Sequence, residues 1–252
     1  MDIIITAGGT RERIDEVRSI TNEATGRLGA LLTDALLGSG ADRIGKMYYV
    51  HGRGAAMPLL PGASCVEVGG INDLSSTLEE ISRNCRIDAV VHSMAVSDYR
   101  VSRATTLRAL TDQEPDLDSS GKIGSTLDDL VLVLERAPKV IALLRGWFPG
   151  ALIVGFKLLS GADDGRLVAA ASALLKANDC DYVLANDASA LRALTCDGAA
   201  SSAGASGIAT PIAAVHQGLL LSPDGSFERL EGKAAIASRL AHLILAKGEI
   251  KP

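Results

Sequence analysis

Residues 5–29 read ITAGGTRERIDEVRSITNEATGRLG, and the reading of this stretch decides the fold. Asp2 to Thr6, which leads into it, is an apolar, β-branched run of the kind that fills a buried strand. The run breaks at Ala7-Gly8-Gly9-Thr10. Two adjacent glycines at a strand end permit a sharp turn and bring main-chain N–H groups close to a ligand. A polar connection follows from Arg11 to Glu23, and a helix is expected from near Ala24. Strand, glycine turn and helix N-terminus in that order are how open α/β sheets bind phosphates. The connection exceeds the roughly 2–6 residues usual between strand and helix. It carries Arg11, Arg13 and Arg18 with Asp15 and Asn22, while Ile14, Val17 and Ile20 offer anchors, so it reads as a functional loop. No third glycine completes a dinucleotide fingerprint, and no G-x-x-x-x-G-K-[ST] occurs.

Outward from this stretch, the chain alternates strands and helices. Ala24 to Leu37 is read as a helix ended by Gly38-Ser39-Gly40, with Gly26 and Gly29 near its start for close packing or ligand approach. Lys46–His51, Ser64–Val68 and Ile87–His92 are read as strands, with a helix over Asn72–Ile81. This β-α-β-β-α-β pattern predicts an α/β fold, a Rossmann-like doubly wound, mostly parallel sheet. Residues 101–126 lack periodicity and are read as a loop, a lid or strap with Lys122 as its lysine. Leu127–Leu134 is read as a strand or short helix. Pro138–Trp147 is a helix with Pro138 in its first turn and Val140, Leu143, Leu144 and Trp147 inward. Ala151–Leu159 is a buried strand, Val168–Lys176 a helix and Asp181–Ala185 the last core strand. Residues 190–211, rich in Ala, Ser and Gly, read as a flap. Ile212–Ser222 with Phe227–Leu230 reads as a hairpin, and Lys233–Leu245 as a closing helix. One domain over residues 1–252 is the expectation.

Composition narrows the function. A net charge of −5 argues against a nucleic-acid surface. No 18-residue apolar run reads as a membrane helix, and no basic leader precedes the first strand. Cys65, Cys85, Cys180 and Cys196 show no C-x-x-C spacing, which predicts reduced thiols and a cytoplasmic protein. Ligands of open sheets bind beyond the carboxyl ends of the strands, so Asp98, just after the Ile87–His92 strand, is a candidate for a ligand or a phosphate-bound Mg²⁺. His92 beside it is read as structural rather than as a base.

The first loop, G-G-T-R-E-x-I-D-x-V-R-x-I-T-N-x-x-T-G-x-L-G, resembles the opening motif of phosphopantothenoylcysteine synthetase (phosphopantothenate–cysteine ligase), in its stand-alone bacterial form. The likeness continues in order through HSMAVSDYR (92–100), GKIGS (121–125), APKVIALLRGW (137–147), IVGFKLL (153–159) and LANDAS (184–189). It implies a ligase of coenzyme A biosynthesis that joins 4′-phosphopantothenate to L-cysteine through an acyl-nucleotidylate. Bacterial members generally use CTP and eukaryotic ones ATP, with Mg²⁺ and no tightly bound organic cofactor. The resemblance places nucleotide contacts at Gly8, Gly9, Ser93, Met94, Asp98, Lys122, Pro138, Lys139, Val140 and Phe156. Substrate contacts fall on Arg18, Asn22 and Asn186, with Asn22 and Lys122 in catalytic roles and Asp98 as the metal candidate. It further implies a homodimer with sites near its interface, a separate decarboxylase acting next, and no nucleic-acid or membrane partner. The fused forms carry Asp where this chain has Lys139, and Lys176 stands about one residue away from a family phosphate lysine.

Two other readings stay open at this stage. A Rossmann-type NAD(P) reductase is suggested by the strand–glycine–helix opening, although His51 and Arg53, not an acid, follow the second strand. A flavin- or nucleotide-binding protein without catalysis is the other.

Overall fold

The computed structural model describes residues 1–112, 115–188 and 217–247. The chain opens on strand β1 (Ile3–Ala7), whose Ile3, Ile4 and Ile5 are fully buried. Burial of each is worth about 1.5–3 kcal/mol, which fixes this strand in the middle of the sheet. The long polar connection is not a plain loop: it folds back as a small hairpin, β2 (Arg11–Arg13) and β3 (Ser19–Thr21). Helix α1 (Arg27–Gly40) therefore starts three residues later than the sequence suggests. It also runs through Gly38-Ser39-Gly40 rather than ending before them. A Cβ at Gly40 would lie 2.6 Å from a Leu245 methyl carbon, so that glycine serves helix–helix approach and is not a stop signal.

Strands β4 (Met47–Gly52) and β5 (Ala63–Val68) follow, then α2 (Ile71–Asn84) and β6 (Ala89–His92). The segment read as a loop from residue 101 begins instead as strand β7 (Tyr99–Thr105) and a short helix, α3 (Leu107–Asp112). β7 pairs antiparallel with β8 (Val131–Arg136), which makes the second half of the ambiguous 127–134 run a strand and leaves 127–130 outside any helix or strand. This two-stranded ribbon stands outside the main sheet, and its alternation is too weakly buried to be heard in the sequence. Helix α4 (Val140–Trp147) has Lys139 at its N-cap, so Pro138 sits just outside the first turn. Leu143 is 41% exposed rather than inward. β9 (Leu152–Leu159), α5 (Asp164–Asn178), β10 (Tyr182–Asp187), the antiparallel pair β11 (Gln217–Leu221) and β12 (Phe227–Glu231), and α6 (Lys233–Lys247) complete the described chain. The flap read at 190–211 and the start of the hairpin near Ile212 lie outside the described residues, as does Cys196.

Eight strands form one sheet in the order β12-β11-β10-β9-β6-β1-β4-β5, with β11 alone running antiparallel to the rest. The chain runs outward from β1 through β4 to β5, then crosses back to β6 on the other side of β1. The two crossovers take opposite faces. α1 and α6 cover one apolar cluster containing Ile3, Ile5, Leu32, Leu36 and Ile244. α2, α4 and α5 cover the other, with Ile4, Val90, Leu78, Leu144 and Ile153. β1 and β6 are neighbours whose connections leave in opposite directions, so their carboxyl ends bound an open crevice. Among the described residues no helix is long and apolar enough to cross a membrane.

Candidate active site

The loops after β1, β4 and β6 meet at the crevice. The loops after β1 and β6 are laced together by the main chain. Ala95 N–H donates to Gly8 O at 2.8 Å, and Thr10 N–H donates to Ala95 O at 3.2 Å. Buried and half-buried hydroxyls finish the seam. Ser93 Oγ donates to Thr6 O at 2.6 Å, Thr10 Oγ1 and Ser97 Oγ are 2.9 Å apart, and Ser97 N–H donates to Thr10 Oγ1. A buried hydroxyl left unpaired is costly, so this lacing specifies how the two loops stand relative to each other.

The glycines explain how close the backbones come. Gly8 has φ +80°, and a Cβ there would lie 2.7 Å from the Ala55 Cβ. A Cβ at Gly9 would meet Asn22 O at 2.6 Å, and one at Gly52 would meet Gly9 O at 2.1 Å. The Gly8-Gly9 pair is thus required by the β4 loop and by Asn22, beyond any ligand. Helix α1 begins against the same place: its N-cap Gly26 is left-handed at φ +68° and no side chain caps it. A Cβ on Gly29 would lie 2.7 Å from the Ala7 Cβ and 3.3 Å from Ser93 Oγ. An uncapped helix N-terminus beside the glycine turn presents N–H groups and positive dipole to an anion.

The residues singled out by the sequence divide into three groups. Gly8, Gly9, Asn22, Ser93 and Asp98 lie in the loops at the ends of β1 and β6. Asn22 Nδ2 donates to Ala95 O at 3.1 Å, which holds the exposed amide at the seam. Phe156 and Asn186 stand further along the same row of strand ends. Phe156 is half-buried against the cluster under α1 and α6, and its strand pairs it with Leu184. Asn186 is two residues on, at the end of β10, and so on the same sheet face. The side chains of Met94 and Val140 instead enter the core under α2 and α4, which leaves only their main chain for a ligand. Exposed Lys139 pairs its ammonium with Asp98 Oδ1. The chain's departure from the fused forms thus places a cation directly on the carboxylate expected to meet the nucleotide or metal.

The third group joins the first loop to the strap. Arg18 does not point into open space. Its Nε donates to Asp15 Oδ2 at 2.9 Å, and its Nη2 donates to Asp15 Oδ2 and to Ile123 O. Lys122, next to Ile123, is exposed. Arg18, then the main-chain N–H groups around it, hold the Asp15 carboxyl well below the usual carboxylate range.

Sequence reasoning missed the buried fasteners. Glu12 accepts from Ile71 N–H at 3.1 Å and so caps α2 from the first loop. Thr6, Thr10 and Ser97 gave no signal because a buried hydroxyl is chosen by its tertiary partner. Lys233, at the start of α6, was also passed over. Burial, and then the charge of Arg27, lower its pKa, so the parallel helices α1 and α6 bring two cations together at the ligand end of the sheet.

His92 is buried with Nδ1 2.9 Å from Thr6 Oγ1, and burial lowers its pKa to about 4. A neutral imidazole in the seam suits the structural reading. The folded value lies below the unfolded one, so stability is full above the unfolded pKa and falls as pH drops from about 6.5 towards 4, by roughly 3 kcal/mol. Urea unfolding from pH 7 to pH 4.5 is expected to show this loss, and His92→Gln to remove most of its pH dependence. An unchanged slope in the variant would assign the loss elsewhere.

For a divalent cation, no group of three or more His, Cys, Asp or Glu side chains gathers among the described residues. Asp98 alone, exposed and paired with Lys139, fits an ion that arrives on a nucleotide's phosphates, which need few protein ligands. Cys180 is held as a thiol, its pKa pushed up to about 11 by burial, and Cys65, Cys85 and Cys180 are all free.

Residues 1–203 match the family described as DNA/pantothenate metabolism flavoprotein C-terminal domain. The chain belongs to that family. It is similar to the coenzyme A biosynthesis bifunctional protein CoaBC of Thermococcus kodakarensis, 29% identical over 192 residues, covering 73% of this chain and 40% of the relative. It is 27% identical over 246 residues to CoaBC of Mycobacterium bovis, covering 96% of this chain and 51% of the relative. The chain thus spans about half or less of the length of these relatives. Among solved structures, the DNA/pantothenate metabolism flavoprotein from Streptococcus pneumoniae is 30% identical with a TM-score of 0.78, covering 98% of this chain and 99% of that one. A Cab2 variant in complex with phosphopantothenate-cysteine shares the fold at 18% identity and a TM-score of 0.67, covering 98% of this chain and 86% of that one.

Proposed function

We propose that this family member is a phosphopantothenate–cysteine ligase that works through an acyl-nucleotidylate, with CTP preferred over ATP. The observation that supports it most is the convergence of the glycine turn, the uncapped α1 N-terminus and the Asp98 loop at the switch point of the sheet. This crevice suits a nucleotide's charged tail. An amine and a carboxylic acid only exchange a proton at neutral pH, so the acid must first be given a good leaving group.

A carboxylate oxygen of phosphopantothenate attacks the α-phosphorus, the α–β phosphoanhydride bond breaks, and pyrophosphate leaves. Cysteine's amine then attacks the acyl carbon, its proton is lost, and the acyl–oxygen bond breaks to release the nucleoside monophosphate. Lys122 would meet the charge building on the departing pyrophosphate, and Asn22 would donate to the acyl oxygen in the second step. Asp98 would hold the phosphate-borne Mg²⁺ on releasing Lys139; that ion would screen the phosphate charge. Phe156 and the start of α4 would face the base. The reading of Arg18 as a substrate contact requires its guanidinium to serve from the loop–strap junction, in this subunit's site or a partner's.

A homodimer is part of the proposal. Val17 and Ile20 on the β2–β3 hairpin and Tyr99 and Leu134 on the β7–β8 ribbon are 39–61% exposed, an apolar surface that a second copy would cover. Light scattering giving a monomer mass would remove this element.

The test is pyrophosphate release measured with CTP or ATP in competition. Release is expected to require phosphopantothenate together with the nucleotide; none with any nucleotide would sink the reading. Lys122→Ala is expected to slow release roughly tenfold, a moderate effect because an exposed ammonium is partly screened by water. An unchanged rate would clear Lys122 of the role.

A further inference from the structure

We propose that Asp15 is a positioning residue: it latches the strap to the first loop and thereby sets where Lys122 stands. The proposal rests on the nucleotide-transfer reading above for its kinetic consequence, but its structural part stands alone. The two carboxylate oxygens of Asp15 do different jobs. Oδ1 accepts from Val17 N–H at 2.9 Å and Arg18 N–H at 2.7 Å, bonds that shape the loop. Oδ2 accepts from Arg18 Nε and Nη2 and, across 108 residues of chain, from Ile123 N–H at 3.1 Å. Arg18 Nη2 in turn donates to Ile123 O at 2.9 Å. One ion pair thus holds both main-chain polar groups of a single strap residue.

Ile123 is the only firm point in this part of the strap. Its side chain is 4% exposed. The glycines on either side are open: a Cβ at Gly121 would meet nothing within 4 Å, and one at Gly124 would meet only Thr126 Oγ1 at 3.8 Å. Among the described residues, the long-range hydrogen bonds from 119–126 run to Asp15 and Arg18, and Ser120 bonds only its near neighbour Asp118. The Asp15 side chain has no exposed surface while Arg18 keeps 39%, so the carboxylate has no water to fall back on if the pairing is broken. Lys122 is one residue from this anchor. Without it, the ammonium would wander on a glycine-flanked tether, and a cation displaced by an ångström or so loses most of its effect on a transition state.

Asp15→Asn separates the two jobs. An asparagine keeps one oxygen for the loop N–H groups, but its NH₂ would face three N–H donors on the strap side. In the full chain, hydrogen exchange at the Ile123 amide is expected to quicken at least about tenfold, with the β1 amides unchanged. Pyrophosphate release should fall roughly tenfold in kcat, and the Asp15→Asn/Lys122→Ala double variant should be no slower than Lys122→Ala alone, as two residues acting through one group are non-additive. Equal Ile123 exchange in the two proteins, or losses that multiply in the double variant, would overturn the latch. Should the unaltered protein release no pyrophosphate at all, the ligase reading falls, and the exchange measurement alone decides the latch.

Discussion

Asn22→Ala is expected to leave the first half of the proposed reaction running while amide formation slows by about 10²–10³-fold, the usual cost of losing one donor to a developing oxyanion. The reason lies in what the amide already does. One N–H of Nδ2 is taken by Ala95 O at 3.1 Å, which ties the side chain to the seam between the β1 and β6 loops. The other N–H is left for a carbonyl in the crevice, and an amide donates without any change of protonation. Its main chain is as constrained as its side chain, because Asn22 O packs on the bare α-carbon of Gly9. Alanine preserves that backbone contact, so the variant should fold and bind nucleotide. Quenched-flow analysis should show acyl-nucleotide accumulating in the presence of cysteine. Normal turnover with no accumulation would remove Asn22 from the second step.

Gly52→Ala is expected to be the most destabilising single-methyl change near the site. The added Cβ would sit 2.1 Å from Gly9 O, where real Cβ atoms essentially never come within 3.0 Å, and the obstacle is backbone. Neither partner can turn a side chain away. The β1 loop would have to lift off β4, dragging with it the Gly9–Asn22 contact and the bridge from Gly9 to Ala95. The cost should reach or exceed the upper end of the ~1–3 kcal/mol typical of over-packing. For a chain of this size that is a fall of roughly 10 °C in Tm. Gly38→Ala supplies the contrast. Gly38 is exposed within α1, and a Cβ there would meet only a Leu60 methyl at 3.7 Å. That variant should gain up to about 1 kcal/mol from helix propensity. Thermal unfolding of the two proteins should therefore move in opposite directions, and a Gly52→Ala protein as stable as the parent would show that the loops are not packed as described.

Much of the fold was legible because its elements advertise themselves locally. β1, β4, β6, β9 and β10 are apolar runs bounded by glycine or polar residues, and such runs need neighbours on both faces wherever they occur. The doubly wound order follows from strands alternating with helices. The crevice between the β1 and β6 loops followed too, since the glycine turn and Asp98 come in the loops after those strands, and ligands of such sheets gather at strand carboxyl ends. Where reading failed, the signal was not local. The β2–β3 hairpin and the β7–β8 ribbon have short, largely exposed strands, so their pairing leaves no hydrophobic period. Gly40 looks like helix punctuation but is placed by the Leu245 side chain that lies against it.

The sequence by itself determined the central parallel strands, the glycine turn between β1 and α1, and the set of residue types available to grip a phosphate. Those follow from hydrophobicity and backbone freedom, which each residue carries with it. Only the tertiary structure decided that Lys139 sits on Asp98, that Asp15 and Arg18 fasten Ile123, and that Gly9 is bare for the sake of Asn22 and Gly52 for the sake of Gly9. Those are contacts between residues 13 to 108 positions apart, and a hydrogen bond or a clash exists only once the chain has brought its two halves together.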